Sequence, residues 1–373
     1  MVSEKITESL KKEQWINVTN ERMIFSKNII DVVFILNNIF HTLTTIFNKE
    51  FLISWEMDIS EIIFKFVFKL TSDIEMFTES QFTPPSLSPI SISGRKKSIP
   101  WMERLAKIES SFRKSFKTSN CKLEWNEYSD PRYYISSMIV KLGSLSFLKA
   151  QISLIYSSFL NKNEIPQKIS QIISKTSMKL IHYIAFYLVF IEIGPNLFEG
   201  SYCTFINKEK GMKKISTQVQ TMLNAMKKTV LPIIPQEYVL SLLTQFSKIL
   251  IDAWSYYLLI LFSNARDEDL KEIMMFLEDD TKVIKTMILE LGDFKEISTE
   301  QKKTLRNDLE EELIKIIELK SFIKLDDFSL IEIYKSLDPA EEIRRETLCR
   351  IISGRQTKEV DKFFEFYKHI FLK

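Results

Sequence analysis

The chain has 373 residues, of which 45% are hydrophobic and 27% are charged, with 51 basic and 49 acidic side chains. This near balance argues against a nucleic-acid-binding protein that neutralises phosphates through its overall charge. Glycine and proline are scarce, and the abundance of Ile, Leu, Lys and Glu favours long helices. The three cysteines lie too far apart for a disulfide framework or a paired metal motif, which predicts a reducing compartment.

The first 80 residues are predicted to form an N-terminal helical bundle. Charges in the opening "MVSEKITESLKKEQW" predict no secretory signal and therefore a cytoplasmic protein. A helix is expected from Ile29 onward and a second one at 58–77, because apolar residues recur at three-four spacing in both. The predicted buried face of the first helix includes Ile30, Val33, Phe34, Phe40, Leu43 and Phe47.

A proline- and serine-rich stretch follows, "QFTPPSLSPISISGRKKSIP" at 81–100, with four prolines and no acid. This composition predicts an exposed, poorly ordered linker. A middle helical bundle is predicted at 101–231. Its expected helices lie at 101–117, 133–160, 166–193 and 208–230, and no fixed-period repeat or alternating strand pattern accompanies them.

The most hydrophobic run is "KLIHYIAFYLVFIEIG" at 179–194, and a membrane span is one hypothesis for it. A spanning helix needs about 20 predominantly apolar residues, and here Lys179, His182 and Glu192 interrupt or bound a shorter stretch. The length therefore predicts a buried core helix instead.

A proline corner, Pro232 to Pro235, opens the predicted C-terminal bundle at 232–373. Prolines disfavour helix in the preceding residue and begin the next helix well. The following helix is apolar on most sides, so it is expected to have neighbours on most sides. Further helices are predicted at 268–291, 299–319, 329–337, 340–352 and 358–371.

No motif for catalysis, a cofactor or a metal is present. The glycines are too dispersed for a phosphate-binding loop, and His41, His182 and His369 are isolated from one another. The pair Asp279 and Asp280 lacks calcium-loop spacing and is interpreted as part of a solvated helix face or a helix start. The sequence thus predicts a protein that is not an enzyme and has no cofactor.

Local charge offers the candidate partner-binding residues. The segment 208–228 holds six basic residues and one acid, and 95–117 holds eight and two, whereas 266–312 holds fifteen acids and eight bases. Basic zones of this kind can attract acidic helices or an anionic membrane surface, although ordinary solvated faces give the same pattern. The candidate residues are Lys208, Lys210, Lys213, Lys214, Lys227 and Lys228.

Several segments occur in an order that resembles the MUN domain, the helical rod of the Unc-thirteen and CAPS vesicle-priming proteins. The segments are the helix at 58–77, the linker, "MERLAKIESSF", "KLEW", the run Ile249-Leu250-Ile251-Asp252, "MMFLEDDTKVIKTMI" and "ETLCRIISGRQTKEVDKFF". Ala106 and Lys107 replace two asparagines of the family pattern, and no C1 or C2 module is recognisable. The resemblance covers about residue 58 onward and corresponds to the C-terminal portion of such a rod.

The fold prediction is an all-α protein, built as an elongated stack of antiparallel helical bundles. The resemblance implies binding to SNARE helices or tethering-complex subunits in membrane fusion, without nucleic acid, in the cytoplasm or at a membrane surface. A helical scaffold subunit of an unrelated complex would show the same periodicity and is the main alternative. A helical enzyme, such as a lipid-modifying one, is a third hypothesis that needs a buried polar cluster in a pocket.

Overall fold

A computed structural model describes residues 15–18, 23–46, 49–71, 132–157, 164–189, 214–264, 267–295, 297–323, 325–338 and 348. The fold is all-α, as the sequence predicts. Nine helices occur in this described part of the chain: α1 (Lys27–Ile46), α2 (Lys49–Thr71), α3 (Arg132–Ser157), α4 (Glu164–Tyr187), α5 (Ile215–Thr229), α6 (Val239–Asn264), α7 (Asp267–Phe294), α8 (Thr299–Ile323) and α9 (Asp327–Ser336).

A short antiparallel hairpin precedes α1. Its strands are β1 (Trp15–Val18) and β2 (Met23–Ser26), with Trp15 opposite Ser26 and Val18 opposite Met23. Each strand has only four residues, so neither shows an alternating pattern long enough to be recognised in the sequence.

The chain divides into two compact units. Unit 1 comprises Met1–Ser80, Ile108–Tyr187 and Ala225–Leu242, and unit 2 comprises Gln81–Lys107, Leu188–Asn224 and Leu243–Lys373. The division falls within α5 and α6. The predicted segments 1–80, 101–231 and 232–373, and the predicted elongated stacking, stay predictions.

In unit 1, α3 is the central helix. It contacts α1, α2, α4 and β2, and it is buried along most of its length, including Leu142, Leu145 and Leu148. Its segment Met138–Ile155 is long and apolar enough to cross a membrane by length and composition, with a mean hydropathy of 1.4, and 67% of it is buried inside the protein. A buried core helix can have the same length and apolar composition as a membrane span.

The first part of the hydrophobic run predicted as a core helix at 179–194 forms the end of α4, and residues 190–194 lie outside the described residues. Its described part is buried through Leu180, Ile181, Ile184 and Ala185, as predicted. The burial of these side chains accounts for their apolar character, independently of the length of the run.

The buried face of α1 differs from the prediction. Val33, Phe40 and Leu43 are buried as predicted, but Ile30 is exposed and Phe34 is 65% exposed. The buried line instead begins one residue earlier and advances by four and three residues alternately. A one-residue shift turns a helix face by about 100°, so a dense apolar sequence leaves this choice open. The buried line consists of Ile29, Val33, Leu36, Phe40 and Leu43.

In unit 2, α7 and α8 form an antiparallel pair. Three ion pairs join them in reverse order along the two helices, Asp293 to Lys302 at 2.6 Å, Lys285 to Glu310 at 2.6 Å and Glu278 to Lys320 at 2.7 Å. Helix α6 runs alongside α8 in the same direction, because Thr244 bonds to Asp308 and Asp252 bonds further along to Lys315.

The proline corner between α5 and α6 is present. The amides of Val230 and Leu231 both donate to the carbonyl of Met226, which ends α5, and the amide of Tyr238 donates to the carbonyl of Pro235 in a 3₁₀ turn. The helix that follows is buried on most sides, as predicted. Its buried side chains are Val239, Leu242, Leu243, Phe246, Ile249, Leu250, Ile251, Ala253 and Trp254.

Candidate functional site

The acidic segment of α7 meets the beginning of α5. Asp280 is fully buried, and its carboxyl oxygen Oδ2 accepts a hydrogen bond of 3.0 Å from the amide of Ile215. Ile215 is the first residue of α5, and the first amides of a helix have no acceptor within that helix. Asp280 therefore caps α5 from a different helix, where a negative group also complements the helix dipole.

The burial of Asp280 corrects the interpretation of the Asp279–Asp280 pair as a solvated face or the start of its own helix. Asp280 lies in the middle of α7 and is buried, while Asp279 keeps 58% of its side chain exposed. The favourable interaction between an acid and a helix start does occur, but the helix is α5. Sequence spacing gives no sign of this contact, since the two segments are 65 residues apart.

Lys214, a candidate partner-binding residue, lies at the same junction. Its Nζ atom is 3.4 Å from Asp279 Oδ2 and 5.1 Å from the centroid of the Phe276 ring. The lysine thus combines an ion pair with a cation–π contact. Lys214 helps to fix the beginning of α5 to α7, with 39% of its side chain exposed.

The other candidate lysines divide into two groups. Lys227 and Lys228 are exposed in the last turn of α5, where positive charge complements the carboxyl end of the helix dipole. Lys214 precedes α5 and belongs to unit 2, whereas Lys227 and Lys228 belong to unit 1. Lys208, Lys210 and Lys213 lie outside the described residues. Partner binding by any of the six stays a prediction.

The acidic excess at 266–312 is partly neutralised by lysines from outside that segment. Lys214 pairs with Asp279, Lys320 pairs with Glu278, and Lys315 pairs with Glu312 at 2.6 Å. The hydrogen bond from Lys320 is the main reason that the pKa of Glu278 is lowered. Exposed pairs of this kind contribute little each, but together they reduce the field that could steer a basic partner.

Two apolar side chains lie exposed among the α7–α8 ion pairs. Ile314 is 50% exposed and Ile317 is 54% exposed. Glu310 and Lys320, which pair with α7, lie one turn before Ile314 and one turn after Ile317 on α8. The two isoleucines and these ion pairs are named the α8 seam below. Met275 and Val283 of α7 are also exposed, at 62% and 41%.

A charged trio with low exposure links α6 to α8. Lys315 Nζ lies 2.6 Å from both Asp252 Oδ1 and Glu312 Oε2. Burial raises the pKa of Asp252 more than the bond from Lys315 lowers it. Burial also lowers the pKa of Lys315, but its bonds to two acids outweigh this and raise the pKa. Lys315 bonds to two carboxylates, whereas Asp252 bonds to one lysine. The charged form of Lys315 is therefore stabilised more than the charged form of Asp252.

A second polar cluster, in unit 1, holds the 3₁₀ turn after the proline corner. The Tyr238 hydroxyl lies 3.1 Å from Ser177 Oγ of α4, and Ser146 of α3 donates to Glu237 at 2.5 Å. Burial raises the pKa of Tyr238 to about 12, with a further increase from the Glu237 charge and an opposing decrease from Ser177. The sequence does not indicate this cluster, because its members come from three distant segments.

The two histidines in the described part of the chain lie on different helices. His41 is exposed on α1, and the ring of His182 lies edge-on to Tyr183 with centroids 6.3 Å apart. His369 lies outside the described residues, as do the segments 72–131, 339–347 and 349–373 that include the predicted linker and several predicted helices. Within the described ranges, no three His, Cys, Asp or Glu residues are grouped so that they could hold a metal ion.

No family model matches this chain, and no curated protein matches it in sequence.

Proposed function

We propose that this protein is a helical interaction protein of vesicle tethering or priming, which binds SNARE helices or tethering-complex subunits and promotes membrane fusion. In this role it acts without catalysis, in the cytoplasm or at a membrane surface. The observation that carries the interaction part is the α8 seam, where Ile314 and Ile317 are about half exposed between cross-helix ion pairs.

The chemistry of the α8 seam suits a partner helix. Amphipathic helices bind through apolar anchors spaced three or four residues apart, with charged residues at the edges. Ile314 and Ile317 have this spacing, and the pairs Lys285–Glu310 and Glu278–Lys320 offer both signs of charge beside them. A partner helix that carries both acidic and basic residues next to apolar ones would fit this surface.

The vesicle part of the proposal is supported by the sequence resemblance to the MUN domain. Within that resemblance, "FLEDD" at 276–280 lies on α7, beside the α8 seam through the pairing of Glu278 with Lys320. A scaffold subunit of another cytoplasmic complex would use the same kind of surface. The identity of the bound protein therefore decides between the two functions.

The test is affinity purification from a cytosolic and membrane extract with the whole chain as bait, followed by identification of the retained proteins. Enrichment of SNARE proteins or tether subunits is expected. Enrichment of a complex with no trafficking component would overturn the vesicle assignment and support the scaffold alternative.

Matched variants locate the binding face. Ile314→Gln with Ile317→Gln removes both anchors but keeps helix propensity, and retention of the partner should fall about tenfold or more. The control is Ile30→Gln with Phe34→Gln, which removes two exposed apolar residues from α1 and should leave retention unchanged. Equal losses in both variants would show that binding does not depend on the α8 seam.

A further inference from the structure

Helix α4 of unit 1 carries a line of lysines along its outward side. Lys168, Lys175 and Lys179 are all exposed, and they are separated by seven and four residues. With 3.6 residues per turn, this spacing places their Cα atoms within about 40° of one another around the helix axis, along about 16 Å of its length. The opposite side of α4 is buried through Ile169, Ile173 and Ser177.

The same helix offers little negative charge. Glu164, its first residue, is the sole acid in α4. Lys175 and Lys179 form no ion pair with any residue in the described ranges. This differs from the lysines of α7 and α8, of which five form ion pairs with acids.

Two exposed apolar side chains flank the line. Ile172 is 39% exposed and Met178 is 41% exposed. Their positions in the helical repeat place them on opposite sides of the lysine line. The α4 face, defined as these two residues with Lys168, Lys175 and Lys179, is therefore a basic ridge with apolar edges.

We propose that the α4 face docks onto an anionic membrane surface. Each lysine near such a surface strengthens binding about fivefold, and apolar side chains at the edge of a basic helix can enter the headgroup region. A lysine ridge can lie flat on a bilayer, whereas a partner helix would require a groove with apolar anchors at its centre. Nucleic acid is a poorer fit, because α4 has no arginine for bidentate phosphate contacts.

This inference gives the membrane role in the proposed function a defined face, and it rests on that function only for its biological setting. Membrane docking by α4 and partner binding by the α8 seam involve different residues. If the chain binds vesicles but retains no SNARE protein or tether subunit, the proposed function fails and membrane docking stands. If it retains those proteins but binds no vesicles, membrane docking fails and the proposed function stands.

The experiment measures co-sedimentation of the whole chain with phosphatidylcholine vesicles, prepared with and without phosphatidylserine. Binding is expected only to the vesicles with phosphatidylserine, and it should weaken as salt is raised. Replacing all three ridge lysines, Lys168→Gln, Lys175→Gln and Lys179→Gln, should weaken binding about a hundredfold. Replacing the same three residues by arginine keeps the charge and should retain binding.

The matched control removes three positive charges from other exposed positions, Lys65→Gln on α2, Lys282→Gln on α7 and Lys303→Gln on α8. It should bind within about twofold of the unchanged protein, since these three lysines lie outside the α4 face. Thermal unfolding followed by circular dichroism verifies that each variant is folded. If the glutamine variant of α4 is unfolded, the double change Lys175→Gln with Lys179→Gln replaces it, with an expected loss of about thirtyfold.

Four results would overturn the proposal. These are no preference for phosphatidylserine, unchanged binding by the folded α4 variant, an equal loss in the control, and a loss in the arginine variant. If the α4 change abolishes capture of an acidic protein or an RNA but not of vesicles, the face serves that partner and membrane docking is wrong.

Discussion

The two compact units differ in how polar groups connect their helices. In unit 1, the described contacts at the proline corner use hydroxyl groups, Tyr238 with Ser177 and Ser146 with Glu237. In unit 2, the contacts between helices are mainly ionic, and they include the Asp252–Lys315–Glu312 trio. Helix positions in unit 2 should therefore depend more strongly on the charge state of individual residues.

The difference also concerns which charges are available to partners. Five lysines of α7 and α8 pair with acids, whereas α4 of unit 1 carries exposed lysines and a single acid. Ionic contacts between helices require complementary partners at fixed positions, so they select one packing arrangement at a small gain in stability. Lys175 and Lys179 of α4 form no ion pair with any residue in the described ranges.

The largest effect is expected at Asp280, where a buried acid caps α5. Asp280→Ala should lower the free energy of unfolding by about 3 kcal/mol, because the amide of Ile215 loses its acceptor and a cavity forms. The measurement is urea unfolding followed by circular dichroism.

The neighbouring residue supplies the control for Asp280. Asp279→Ala removes an equally sized acid that is mostly exposed and pairs with Lys214 at 3.4 Å, so a loss of about 0.5 kcal/mol or less is expected. Similar losses for the two alanine variants would mean that the capping bond is not what stabilises this junction. Asp280→Asn keeps an acceptor and should fall between them.

A smaller effect is expected at Lys315 of the charged trio. Lys315→Met should cost about 2 kcal/mol, below the value for a fully buried pair because solvent screens part of the interaction. Without the lysine, the pKa of Asp252 should rise further above its ordinary 3.8. An acid with a raised folded-state pKa stabilises the protein at low pH and loses that contribution as the pH rises. The deficit of the variant should therefore shrink on acidification from neutral pH.

The control for Lys315 removes both acids at once. In the triple variant Lys315→Met, Asp252→Asn and Glu312→Gln, no charge is left without its partner, and much of the lost stability should return. Unfolding by urea at neutral and mildly acidic pH measures all three proteins. A deficit that is independent of pH, or that persists unchanged in the triple variant, would show that packing by the lysine stem dominates.

Most of the described helices lie close to their predicted positions, because apolar residues recur along them at helical spacing. Helix α2 is an exception, since it begins at Lys49, nine residues before the predicted start at 58. The capping pair Ser298 and Gln301 marks the beginning of α8 at the predicted residue, and the prolines mark the corner before α6. The rotation of α1 was not predictable. Ile29, Ile30, Val33 and Phe34 are all apolar, and only contacts with neighbouring helices decide which of them are buried.

The polar contacts were not predictable for a related reason. In the sequence, Asp280 is one of several acids in a charged helix. Its burial depends on the position of Ile215 in a distant segment. Likewise, Asp252 and Lys315 are 63 residues apart, so a single sequence without packing information does not indicate the pair. The α4 lysines illustrate the converse, since their spacing was visible but their exposure required the structure.

The smallest effect at neutral pH is expected in unit 1, and it has a distinct pH dependence. Tyr238→Phe removes the hydroxyl group that bonds to Ser177 and should cost about 1 kcal/mol near neutrality. Burial raises the pKa of Tyr238 from 10.0 to about 12. A group with a raised folded-state pKa contributes stability that is complete below its unfolded pKa and is lost as the pH rises through the folded value. The unchanged protein should thus lose this contribution between about pH 10 and pH 12.

The phenylalanine variant has no hydroxyl to titrate at this position, so its stability should fall less steeply over that alkaline range. The two unfolding curves should converge as the pH rises. Ser177→Ala removes the bond that lowers the pKa of Tyr238, and it should shift the alkaline loss to higher pH. Parallel losses in all three proteins would instead assign the alkaline instability to lysines such as Lys315 in unit 2, whose raised pKa predicts a loss above its ordinary 10.5.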